Sequence, residues 1–202
     1  MYFELEDGIQ LYNEKKYQDA LAFFLSAKSE KEDVVTEINY YTGLTYMRMF
    51  QYENALEFLE QVVTANADIA KVYQCRLILA FIYAKTDRTR LAEFELAKLT
   101  DAGYESVQVF SSMAYIAYEH NDVKKAVDYY ERALQTDPEN GTALNGLGYI
   151  LAETERDLDK SLELCKKAVE KQPLNPAYLD SLAVAYHKLN FSNDAENYIQ
   201  KA

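Results

Sequence analysis

Small side chains recur in this chain in pairs about twelve residues apart, and the pair itself returns at intervals close to 34. The pairs are Gly8 with Ala20, Gly43 with Ala55, Ala80 with Ala92, Ala114 with Ala126, Gly148 with Ser161 and Ala183 with Ala195, the fifth carrying one extra residue. Self-similarity at a fixed period of this length marks a stacked-repeat architecture. Two helices of a hairpin approach closely only where each presents a small side chain, so paired small residues at fixed spacing mark where they cross. Glycine inside a helix costs ~1 kcal/mol relative to alanine, and close packing is the reason to keep Gly8, Gly43 and Gly148 in helical segments. With three prolines and six glycines in 202 residues, the chain lacks the turn residues that many short strands would need. The expected class is all-α, built as six helical hairpins.

A single hairpin cannot bury its own apolar face. Ala20, Phe24 and Ala27, at i, i+4 and i+7, need a neighbouring hairpin to cover them. Gly103, Pro138, Gly141, Pro173 and Pro176 fall between repeats, where helices should stop. No break in the pattern marks an internal boundary. The sequence therefore predicts one domain over 1–202, with repeats at about 1–34, 36–69, 73–106, 107–140, 141–175 and 176–202.

Further sites fill in around the small pairs. The fourth repeat has Phe110, Met113, Ala114, Ala126, Tyr130, Ala133 and Pro138; the fifth has Leu144, Leu147, Gly148, Leu151, Ala168 and Pro173. The sixth has Leu179, Leu182, Ala183, Tyr186, Ala195 and Ala202, and the first has Gly8, Ala20, Phe24 and Ala27. On these residues the chain resembles the tetratricopeptide-repeat family along its whole length. It departs from the family pattern in having no tryptophan, and in Val62 and Leu99 where alanine is commonest. The resemblance implies a right-handed α-α superhelix, a solenoid of six tandem helix-turn-helix repeats, acting as a non-enzymatic scaffold for protein–protein interaction. The fifth and sixth repeats look like those of bacterial members, many of them envelope lipoproteins. That implies a periplasmic site if a signal segment was removed before Met1, and a cytoplasmic one otherwise.

In such repeats the first helices line a concave surface. The residues that would face it here are Tyr2, Leu5, Ile9 and Tyr12, then Tyr40, Leu44 and Met47, then Leu77 and Phe81, then Tyr115 and Tyr118, and Tyr149. Tyrosine suits recognition because it combines a large rigid face with one hydroxyl. The residues expected to bind a partner polypeptide are Tyr12, Tyr40, Leu44, Met47, Phe81, Tyr115, Tyr118 and Tyr149, while Tyr46, Tyr83, Tyr130 and Tyr186 are assigned to the core. A family subclass grips a terminal carboxylate with lysine, arginine and asparagine. The corresponding positions here carry Leu5, Ile9, Tyr41, Gln74 and Ile78, so no basic fork is available. The expected occupant is an apolar or aromatic segment.

Several function classes are disfavoured on chemistry. A net charge of -12 repels phosphate backbones and anionic lipids, so nucleic acid is not an expected partner, although a basic protein would suit it. No apolar run approaches the ~20 residues of a membrane helix, so direct membrane insertion is not expected. His120 and His187 lie in different repeats without metal-ligand spacing, and Ser111 and Ser112 lack a nearby base. No catalytic, cofactor or metal residue is therefore assigned. Cys75 and Cys165 fall in distant repeats and are expected to stay unpaired. At the far end, Tyr198, Ile199 and Ala202 would expose an apolar face. That makes self-association into a homo-oligomer the alternative function, a structural assembly module.

Overall fold

The structure, a computed structural model, describes residues 5–65 and 68–202. Among the described residues there are twelve helices and no strand. In chain order they are α1 (Glu6–Asn13), α2 (Tyr17–Ser26), α3 (Glu32–Arg48), α4 (Tyr52–Thr64), α5 (Ile69–Lys85), α6 (Thr89–Asp101), α7 (Val107–Glu119), α8 (Val123–Thr136), α9 (Gly141–Glu153), α10 (Leu158–Lys171), α11 (Pro176–Lys188) and α12 (Ser192–Ile199). They fall into two compact units, Met1–Leu99 and Thr100–Ala202. Of the residues named for the concave face, Tyr2 lies outside the described residues.

Both members of every small pair are buried. In the fifth, the Ser161 hydroxyl of α10 donates to the Gly148 carbonyl of α9 at 2.7 Å. A Cβ added to Gly148 would stand 2.6 Å from Cys165 Sγ and 3.3 Å from the Cys165 backbone nitrogen. The two backbones thus meet where no larger side chain fits. Val62 and Leu99, the departures from the usual alanine, are fully buried, so the larger side chains fill the same inner layer. The turn between the two helices of every hairpin has one residue in the left-handed region: Lys15, Phe50, Asp87, Asn121, Glu155 and Asn190. Their spacing reproduces the repeat, yet none is glycine.

Contacts within each unit carry the same period. In the first unit Lys71 pairs with Glu37, Tyr40 donates to Gln74 at 2.7 Å, and Arg88 donates to both oxygens of Glu53 at 2.6 and 2.7 Å. In the second, Lys171 pairs with Glu139 and Lys188 donates to Glu155 at 2.9 Å. Each links equivalent places on successive hairpins. The exposed ones among them add little stability, but together they favour one register of stacking over a slipped one. The main core of the second unit packs Phe110, Tyr130, Leu144, Leu147 and Tyr178, and a smaller cluster holds Cys165 with Leu182 and Ala185. Both cysteines are free and buried, and burial pushes each thiol up to about 12.

A tyrosine and carboxylate face on the first helices

The second unit lines up its first helices: α7 lies against α9, and α9 against α11. Each begins with a side-chain cap. Ser106 accepts from the Val109 amide, Asn140 from Ala143 and Asn175 from Ala177, which fixes where each helix starts and so where its later residues point. Residues 34 or 35 apart therefore occupy equivalent places on successive first helices. Ser111, Asn145 and Asp180 form one row, and Glu119, Glu153 and Lys188 another.

Between these rows stand Tyr118 and Tyr149. Their ring centroids are 6.1 Å apart at 79°, an edge-on pair across α7 and α9, and their side chains are hydrogen-bonded. Burial first, then the charge of Glu153, holds both phenols above their usual range; Glu119 adds to this at Tyr118 and Asp180 at Tyr149. Both rings are half-buried, and Tyr115, one turn back on α7, is 40% exposed. The structure thus brings Tyr115, Tyr118 and Tyr149 onto one face. The carboxylates Glu119, Glu153 and Asp180 around them are exposed, and they were not singled out in the sequence. Spacing alone could have found Glu119 and Glu153, which differ by one repeat.

The same face holds two further features invisible in the sequence. Ser111 Oγ and Asn145 Oδ1 are buried without a hydrogen-bond partner among the described residues. Buried polar atoms are nearly always satisfied, so two orphans in one row are unusual.

The candidates in the first unit are more dispersed. Tyr40 and Leu44 are buried at 7% exposure each, with the Tyr40 hydroxyl committed to Gln74. Tyr12 is half-buried against Tyr17 and Tyr41, and its hydroxyl accepts from Arg48 Nε at 3.4 Å. Met47 is half-buried, and Phe81 is 40% exposed with its ring 6.3 Å from Tyr52 of α4. Of the positions where a carboxylate fork would sit, Leu5 is buried and Tyr41 stacks on Phe24 at 5.5 Å. The four tyrosines assigned to the core divide evenly: Tyr83 and Tyr130 are buried, whereas Tyr46 and Tyr186 are half-buried. On α12, Tyr198 stacks on Tyr186 at 5.6 Å, while Ile199 is 60% exposed and Ala202 is exposed. A surface cavity of about 440 Å³ opens beside Phe24, Val35, Ile38, Asn39 and Phe58. It lies on the side of α3 away from Tyr40 and Leu44.

Comparison with known proteins gives a consistent picture. A tetratricopeptide-repeat profile matches residues 112–176, and a second matches 37–69. A TPR repeat-containing protein of Pseudomonas aeruginosa is 30% identical over 179 residues, which is 89% of this chain and 28% of that protein. The chain therefore spans less than a third of that relative's length. Among solved structures, a chain of the APC/C hetero-tetramer Cut9-Hcn1 aligns with a TM-score of 0.80 at 11% identity, covering 98% of this chain and 38% of the other. MamA aligns with a TM-score of 0.62 at 18% identity, covering 83% and 89%. YrrB, described as a TPR protein with an unusual peptide-binding site, aligns with a TM-score of 0.58 at 19% identity, covering 92% and 89%. At such identities the likeness speaks to the fold alone, and that fold is the all-α superhelical repeat.

Proposed function

Because this chain belongs to the tetratricopeptide-repeat family, whose repeats serve as protein-interaction scaffolds, we propose that it is an adaptor holding a segment of a partner polypeptide. The segment lies in a groove along α7, α9 and α11. The observation that carries this reading is the Tyr118–Tyr149 pair, two half-buried rings on adjacent helices with Tyr115 exposed beside them. Rigid aromatic side chains suit a peptide-binding face, since the rings give contact area at low entropic cost. Within the first unit, Tyr12, Met47 and Phe81 are proposed as partner contacts on a surface of that unit's own. Tyr40 and Leu44 support it from beneath. The chemistry asked of the protein is binding without catalysis.

Affinity capture from a native extract tests this reading. Replacing Tyr115 and Tyr118 by alanine should abolish capture of partner proteins while leaving the far-ultraviolet circular dichroism unchanged. Undiminished capture by the folded variant would remove the groove from the account. Self-association is the second reading, drawn from the exposure of Ile199 on α12. Sedimentation equilibrium of the chain and of Ile199→Ser decides it: a monomer at high concentration counts against it, and an oligomer lost on substitution supports it.

A further inference from the structure

Exposed carboxylates normally find a cation or stay in water, and covering them with an apolar surface removes the water and returns nothing. Glu119, Glu153 and Asp180 form no salt bridge among the described residues. Lys188 lies close enough to Glu153 to feel its charge but donates to Glu155. The three acids surround the edge-on Tyr118–Tyr149 pair, and the electron-rich faces of such rings also attract cations. On the same helices, Ser111 Oγ and Asn145 Oδ1 are buried without a hydrogen-bond partner among the described residues.

From this juxtaposition we propose that the occupant of the groove is an extended, basic segment of a partner protein. One Lys or Arg of that segment rests between the Tyr118–Tyr149 pair and the carboxylates of Glu119, Glu153 and Asp180. The proposal rests on the groove reading above and gives it a ligand chemistry. An apolar segment, the occupant expected from the sequence, would bury the three acids unpaired. A basic segment brings a counter-charge to that cluster. The overall charge of -12 favours its approach.

A displayed library of random twelve-residue peptides, panned on the full chain and counter-selected on Tyr118→Ala/Tyr149→Ala, tests the proposal. Enriched peptides should carry Lys or Arg. Their affinity should weaken about tenfold on the triple change Glu119→Gln, Glu153→Gln and Asp180→Asn, and should fall further as salt rises. The three acids are exposed, so the triple variant keeps its fold even if the tyrosine variant does not. Enriched peptides without basic residues, bound through the tyrosines and indifferent to the triple change, would overturn the basic-ligand inference and leave the groove standing. No tyrosine-dependent enrichment at all would overturn both.

Discussion

Gly146 shows how much a single hydrogen atom decides in this chain. A Cβ there would stand 2.2 to 2.5 Å from two ring carbons and the hydroxyl oxygen of Tyr130, which reaches across from α8 and is itself buried. Alanine normally gains ~1 kcal/mol over glycine inside a helix, whereas overpacking a filled core costs about 1–3 kcal/mol. The clash should prevail, so Gly146→Ala should lose stability by about 1 kcal/mol in urea denaturation, where an exposed helical glycine would gain. The same ring carries a second prediction. Burial pushes the Tyr130 phenol up to about 12, and Tyr40 and Tyr83 are raised as well. The folded state keeps these protons above pH 10, where the unfolded chain releases them. Their contribution is complete below about pH 10 and is lost as pH climbs toward the folded values. Stability should fall between pH 10 and about 12, and Tyr130→Phe should make that fall shallower. Gly148 could be read from the sequence because it has a partner thirteen residues on. Gly146 could not, because its partner is a ring in the preceding hairpin.

At the scale of the element, helices start in two ways. Helices α7 to α11 each begin with a side chain that accepts a backbone amide, whereas α1 to α4 have none. A cap of this type contributes ~1 kcal/mol, so Asn140→Ala should cost about that much, and amides in the first turns of α1 to α4 should exchange faster with deuterium than those of α7 to α11. Helix existence and pairing were legible, since prolines and small pairs punctuate the chain. The hairpin turns were less so: Lys15 and Phe50 occupy left-handed backbone that usually selects glycine or asparagine. Tertiary closure of the hairpin imposes that conformation on whatever residue stands there. The capping asparagines Asn140 and Asn175 precede Gly141 and Pro176, a pattern that does mark a helix start.

For the whole molecule, the period written in small residues was enough to give the fold class and the family, because every repeat restates it. The candidate site was only half legible. Tyrosine positions follow from helical phase, so Tyr115, Tyr118 and Tyr149 could be placed on one face, but phase does not tell a ring in the groove from one beneath it, as Tyr40 shows. Nor could it reveal the orphan atoms of Ser111 and Asn145, which depend on what neighbouring helices fail to offer. The claim that function resides on the first helices of the second unit calls for a footprint. Hydrogen–deuterium exchange of the chain with and without its captured partner should show protection concentrated in α7, α9 and α11 around Tyr118 and Tyr149. Protection confined to α12, to the cavity beside Phe58, or to the second helices α8 and α10 would contradict the account.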